Sequence, residues 1–414
     1  MERIPEDKRQ KKAWVEGGSK AVALAEIENN ELEERWATGV EEFDRVTGGG
    51  IVRGSFGLLG GAPGVGKSTL ILQLLSRLAG IGKKTLYISG EESENQIKAR
   101  AERLLLRQEK MLVLIESSLE AILSQMAEIK PDFVVIDSIQ TLYDPSLEAG
   151  PGSVTQVRET AQALMRFGKQ RGVSLFLVGH VTKGGDLAGP RTLEHMVDYV
   201  LYLEGESKER LRILRGVKNR FGEVHEVGLF KMTAKGLAEA SDAGNMMVGR
   251  FDWSHAGTSV FAASEGKRIF FLEVQVLAGD TQQSYPARTA NGMDKNRLLT
   301  LVAVLEKNLN MDFSRNDIYV NLAGGFRVTE TGMDMAVMAA LLSSHLRKAL
   351  PENSLFLGEV ALNGQFRPLP NLEDRVQEAL RCGFTRVYVP QLINGSIKNT
   401  EQVADISKLM QIVG

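Results

Sequence analysis

The chain has 414 residues, 43% of them hydrophobic and 25% charged, with a net charge of −2 and one cysteine, Cys382. That length suggests about two to three domains with ample core. The near-neutral balance excludes a globally basic nucleic-acid binder, so any such contact must come from a local patch. One cysteine excludes a disulfide framework and any multi-cysteine zinc site within this chain. The sequence has no run of about 18 apolar residues, and its first residues are charged rather than signal-like. The expected compartment is cytoplasmic, without a membrane partner.

Residues 1–35 mix charges of both signs, with a basic cluster at Lys8, Arg9, Lys11 and Lys12 and acids at Glu31, Glu33 and Glu34. A flexible arm is expected there. From Thr38 the pattern turns regular. Glu41–Val46 reads as a short helix before the turn Gly48-Gly49-Gly50. The apolar run Phe56–Leu59 reads as a buried strand, and Leu70, Ile71, Leu74, Leu75 and Leu78 keep helical spacing.

Between that strand and helix lies Gly61-Ala62-Pro63-Gly64-Val65-Gly66-Lys67-Ser68, followed by Thr69. It fits G-x-x-x-x-G-K-[ST], the phosphate-binding loop, in the strand–loop–helix context that the motif requires. Its glycines let successive N–H groups point at phosphate oxygens, and the helix adds the positive end of its dipole. Lys67 is expected to reach the β- and γ-phosphates and the Ser68 hydroxyl to ligate Mg²⁺. The implied ligands are ATP and Mg²⁺.

Further strands are expected at 84–89, 111–115, 132–137 and 173–179, alternating with helices at 94–106, 118–129 and 153–170. Such alternation predicts an α/β fold with a parallel, doubly wound sheet. Short strands at 197–204, 210–216 and 224–232 read as an antiparallel extension of it. A boundary is expected at Asp242-Ala243-Gly244-Asn245. The ATPase domain then spans 36–241 and a second unit 242–414, with strands at 268–276, 317–322, 354–361 and 385–389 and helices at 294–307, 332–343 and 371–382.

Phe133–Ile136 ends in Asp137, the place of a carboxylate that holds Mg²⁺ in a phosphate-loop ATPase. Ser138 follows and is a candidate for positioning the site. Glu91 and Glu92 directly follow strand 84–89; Glu91 is the preferred base for in-line water, and a helix N-terminal acid is the competing reading. His180 ends strand 173–179, where a polar side chain can feel the γ-phosphate. The loop Thr182–Thr192, with Lys183 and Arg191, suits a nucleic-acid backbone or is a plain surface loop. In 207–222, Arg210 and Arg212 alternate with Leu211 and Ile213, which reads as a strand with one basic face. Lys218 and Arg220 sit in the turn after it. These cations complete a neighbour's ATP site, contact DNA phosphates or protect an edge strand.

With these residues assembled, the chain resembles the bacterial RadA (Sms) family of DNA-repair ATPases over about residues 36–414. The match lies in Thr38-Gly39 through Gly48-Gly49-Gly50-Ile51, the phosphate loop, Ser89-Gly90-Glu91-Glu92-Ser93, Gly179-His180-Val181-Thr182-Lys183, Gly189-Pro190-Arg191 and the five-residue motif Lys218-Asn219-Arg220-Phe221-Gly222. The resemblance implies a RecA-like P-loop ATPase domain followed by a Lon-protease-like α+β domain. It also implies a homo-hexameric ring that moves on single-stranded and branched DNA, promotes branch migration and works with a strand-exchange recombinase. Lys218 and Arg220 would take the family's roles in ATP use and DNA binding.

Two departures stand out. The family's four-cysteine zinc finger has no counterpart here, so no zinc is expected in this chain. Ala62 replaces the family's more usual residue at a variable loop position. By eye, Met333 and Glu373 fall where a Lon-type protease carries its serine and lysine. A thioether and a carboxylate cannot form that dyad, so a non-proteolytic scaffold is expected. Ser343 and Ser344 read as packing residues, and Lys295, Arg297 and Arg327 as candidate DNA contacts.

Overall fold

Strand Phe56–Gly60 is buried along its whole length, as a parallel strand covered on both faces must be. Its surroundings come from a computed structural model, which describes residues 34–106, 110–180, 190–205, 211–224, 226–240, 251–282, 285–323, 327–391 and 398–414. The basic cluster at 8–12, the expected domain boundary, Lys183 and Arg210 lie outside the described residues.

The N-terminal half begins with β1 (Arg35–Trp36), α1 (Glu41–Thr47) and β2 (Ile51–Val52). The core sheet follows as β3 (Phe56–Gly60), α2 (Lys67–Gly80), β4 (Thr85–Ser89), α3 (Glu94–Arg103), β5 (Met111–Ile115), α4 (Leu119–Ile129), β6 (Phe133–Asp137), α5 (Val154–Arg171) and β7 (Ser174–Val178). After α6 (Pro190–Glu194) come β8 (Tyr199–Glu204), β9 (Leu211–Asn219), β10 (Val227–Thr233) and β11 (Gly236–Glu239). The sheet order is β11-β10-β9-β8-β3-β7-β6-β4-β5. Strands β3 to β8 pair in parallel, and β9 to β11 extend the sheet antiparallel. One apolar core lies on each face, around Leu70, Leu74 and Phe176 on one side and Leu86, Val134 and Leu164 on the other. The expected α/β architecture and its antiparallel extension are thus both present.

Helix ends follow local chemistry. Ser93 opens α3 with a capping box closed by Gln96. Gly172 ends α5 at φ 66°, in the left-handed region where glycine carries no Cβ penalty.

The C-terminal half is α+β. It contains β12 (Thr258–Glu265), β13 (Arg268–Asp280), β14 (Arg288–Asn291), α7 (Lys295–Leu309), β15 (Asn316–Leu322) and α8 (Asp334–Leu346). It ends with β16 (Ser354–Phe356), β17 (Glu359–Val360), β18 (Phe366–Arg367), α9 (Leu372–Arg381), β19 (Arg386–Val389), β20 (Thr400–Gln402) and α10 (Ile406–Val413). Helix α8 is apolar on nearly all sides and buried from Asp334 to Ser343, the mark of a central core helix. Ser343 accepts from Gly257 N at 2.9 Å and Ser344 from Ala278 N at 2.9 Å. These serines tie α8 to its neighbours, as packing residues do.

Arg35–Gly414 forms one compact unit. Val227 and Leu229 of β10 join the C-terminal core beside Val260 and Phe271. Glu42 of α1, buried, accepts from Leu229 N at 2.7 Å and takes a bidentate pair from Arg268 at 2.7 and 2.5 Å. The two halves therefore share a core and a desolvated ion pair.

Candidate active site

The phosphate loop turns where β3 meets α2, at the C-terminal end of the parallel strands, the usual ligand end of an open α/β sheet. Two of its glycines are required by space. A Cβ on Gly61, at φ 153°, would stand 2.5 Å from Leu203 O. One on Gly66, at φ 117°, would stand 2.8 Å from the Met232 methyl. Gly66 is also the N-cap of α2. The helix's free N–H groups and dipole thus face the loop.

Gly64, Gly66, Lys67, Ser68 and Thr69 line one cleft together with Ser89, Glu91, Glu92, Asp137 and His180. The residues expected to handle phosphate, metal and water are thereby brought together. The Lys67 ammonium donates to Gly61 O at 2.8 Å and Ala62 O at 3.0 Å, and lies 3.1 Å from His180 Nδ1. Burial pushes Lys67 down to about 8, against the pull of Asp137 and Glu91. Burial and the Lys67 charge together lower His180, which keeps its ring neutral near pH 7. Nδ1 then accepts from Lys67, and the ring proton sits on Nε2.

Asp137 accepts from the Tyr87 hydroxyl at 2.7 Å. Tyr87 is held protonated by burial and by that carboxylate. Tyr87 is a site residue that sequence reading missed; within the apolar strand 84–89 it looks like one more core position.

The two adjacent glutamates divide. Glu92 is committed to Arg100 by two bonds of 2.7 and 2.5 Å. Glu91 faces the cleft and accepts from the Ser138 hydroxyl at 2.7 Å. Arg100 was not expected at the site; it comes from the third turn of α3, the same face that buries Ile97.

Arg212 does not stand on an exposed basic face. It is buried, and its Nε donates to Val65 O at 2.9 Å. The pleat of β9 puts Arg212, Leu214 and Gly216 on the covered side, so this guanidinium braces the phosphate loop from beneath. Arg215 faces the other way and pairs with Glu204 and Glu265.

Lys218 and Arg220 are not in this cleft. Tyr202 stands opposite both Gly60 and Arg215, whereas Lys218 stands opposite Val200. The motif therefore sits about 10 Å of strand below the loop, at the N-terminal end of the sheet. Arg220 pairs with Asp198 at 3.1 Å, and Lys218 donates to Glu194 O at 2.8 Å. Arg35 of β1 donates to Phe221 O at 2.9 Å, which anchors the turn. Arg191 falls in α6, with its side chain outside the described residues.

In the C-terminal half, Met333 is buried and Glu373 lies exposed on α9. Arg297, a candidate DNA contact, is engaged instead with Asp334 through Nε at 2.9 Å and through Nη2. Burial raises the Asp334 carboxyl against the pull of Arg297.

A phosphate loop, a strand-end carboxylate and a second acid on the neighbouring strand, all opening on one cleft, define a P-loop ATPase. Residues 30–186 match the AAA domain family, and residues 292–392 match the family described as subunit ChlI of Mg-chelatase. The chain is 47% identical to the DNA repair protein RadA of Pseudomonas aeruginosa over 91% of its length and 83% of that relative. It is 44% identical to the RadA of Bacillus subtilis over 91% of the chain and 82% of the relative. For the RadA of Escherichia coli the values are 45%, 90% and 81%. The chain belongs to the RadA family.

Proposed function

We propose that this chain is a DNA-dependent ATPase of recombinational repair: a ring-forming motor on single-stranded DNA that promotes branch migration. The relatives' name, DNA repair protein, supports the repair setting. The observation that carries the rest is the division of labour across the sheet. Lys67, Glu91, Asp137 and His180 gather at one end, while Lys218 and Arg220 stand at the other. Cations so placed do not reach their own loop; their distance from it supports the reading that they act on a neighbour's triphosphate in an oligomer. A homo-hexamer with a strand-exchange recombinase as partner fits this reading.

In the reaction, backbone N–H groups of Gly64–Ser68 and the Lys67 ammonium hold the phosphates. Ser68 and Asp137 offer the hard oxygen donors that would hold Mg²⁺ beside a triphosphate; an ion bound there would supply positive charge against the phosphate oxygens. Glu91, oriented by the Ser138 hydroxyl, takes a proton from water as the water oxygen attacks the γ-phosphorus. The bond from that phosphorus to the β-bridging oxygen breaks, and ADP leaves. Neutral His180 steadies Lys67 at the γ-phosphate end. Lys183 and Arg191 are assigned to the DNA backbone.

ATP turnover is to be measured with and without single-stranded DNA, alongside branch migration of a synthetic junction. Stimulation by DNA and ATP-dependent migration support the motor. Turnover indifferent to DNA, with no salt-sensitive binding, rejects it. Cleavage of casein by the purified chain would instead favour an ATP-dependent peptidase, although Met333 and Glu373 cannot form the serine–lysine dyad.

A further inference from the structure

The N-terminal end of the sheet carries a feature that ATP hydrolysis does not use. Each of the four adjacent central strands is entered through a loop with an outward cation. In sheet order these are Arg53 before β3, Arg171 before β7, Lys130 before β6 and Lys84 before β4. All four are exposed. Three of them, Arg53, Lys130 and Arg171, line one groove. Lys84 lies outside that lining but beside it, donating to Ile129 O, next to Lys130, at 2.6 Å.

Backbone bonds stitch the loops into a fixed platform. Asp132 N donates to Lys84 O at 2.8 Å, and Ser174 N donates to Asp132 O at 3.0 Å. Gly54 N donates to Ser174 Oγ at 2.9 Å. Among the described residues, Lys84, Lys130 and Arg171 form no ion pair; Arg171 lies over the Phe167 ring. The groove's acid, Asp132, spends one carboxylate oxygen on Lys84 N at 2.7 Å. Strand spacing of about 4.8 Å makes the row about 15 Å long.

We propose that this groove is a second nucleic-acid surface that holds a phosphate backbone by charge alone, at the end of the sheet opposite the ATP cleft. Lys130 and Arg171 also complement the C-terminal dipoles of α4 and α5. Lys84 also serves the end of α4 through its bond to Ile129 O, and the Arg53 guanidinium lies beside Gly172, the C-cap of α5; what the proposal uses is that all four side chains remain exposed in one row. A flexible polyanion fits a row of cations on fixed loops, and the shallow, mostly polar groove offers no pocket for base reading. The proposal rests on the DNA-dependent reading above.

The test is fluorescence anisotropy of a labelled oligo-dT across a salt series, with DNA-free ATP turnover as the control. The protein tested is the full chain with Arg53→Gln, Lys84→Gln, Lys130→Gln and Arg171→Gln. The proposal expects unchanged DNA-free turnover, binding weakened at least about tenfold, and a log–log salt slope smaller by about 3. If folding suffers, Lys130→Glu alone, at an exposed helix end, must still lower the slope by about 1. Unchanged affinity and slope, in a variant whose parent binds DNA, overturn the second surface and leave the motor reading intact. Loss of binding to phosphatidylglycerol vesicles with DNA binding unchanged also overturns it. A parent chain that binds no DNA at any salt overturns both.

Discussion

Arg268 of β13 closes a bidentate ion pair on Glu42 of α1, and the Glu42 side chain is fully buried. The pair spans the two halves of the chain. Removing the cation leaves a desolvated carboxylate that still accepts from Leu229 N. Arg268→Ala is therefore expected to cost about 3–5 kcal/mol, measured by urea unfolding. The double variant Arg268→Met, Glu42→Leu should recover much of that loss. A single variant as stable as the parent would mean that the junction does not depend on this pair.

Nucleotide affinity should depend on pH through Lys67. Its value of about 8 lies below the ordinary 10.5 of a lysine because of burial. A bound triphosphate favours the ammonium and raises that value, so binding takes up a proton above pH 8. Below pH 7 the ammonium is already present and this group adds no slope. As pH rises through 8, affinity should fall, approaching about tenfold per unit. Titration with a fluorescent ATP analogue from pH 6.5 to 9.5 checks this. A flat profile would show that Lys67 keeps its charge throughout.

Glu91 and Glu92 should differ sharply. Glu91→Gln keeps the shape of the cleft and removes the base. ATP binding should persist while turnover drops about 10²–10⁴-fold. Ser138→Ala, which only frees Glu91 to rotate, should do less. Glu92→Gln should act through Arg100, lowering thermal stability along with activity. Equal kinetic losses for Glu91→Gln and Glu92→Gln would contradict the division.

Arg220→Ala should leave ATP binding nearly intact and lower turnover about 10³-fold. Mixing it with Lys67→Ala subunits should restore part of the activity. One subunit type then supplies an intact loop and the other an intact Arg220. Mixed oligomers that form, by mass measurement, but stay inactive would exclude action between subunits.

Much of this was legible in the sequence because its cause is local. The phosphate loop is a backbone device, and its glycines are dictated by space within a few ångströms. Strands 111–115 and 132–137 follow from their apolar runs, the second closed by Asp137. Helix α8 is apolar enough to be placed in the core without any partner being known.

Other relations depend on residues far apart in the chain, and only the tertiary structure decided them. Arg212 looks like a solvent cation in sequence; the pairing of β9 on β8 turns it under Val65. Adjacent Glu91 and Glu92 are indistinguishable until Arg100 takes one and Ser138 the other. Lys218 and Arg220 carry no sign of which end of the sheet they occupy, since that follows from the reversal between β8 and β9. The sequence by itself determined that a triphosphate is held and where its loop lies, because hydrogen-bond geometry and glycine sterics act over neighbouring residues. Which acid faces the cleft, which cations are braces and which remain for a partner were decided by strand order and register, because pairing sets the end and face of the sheet on which a side chain stands.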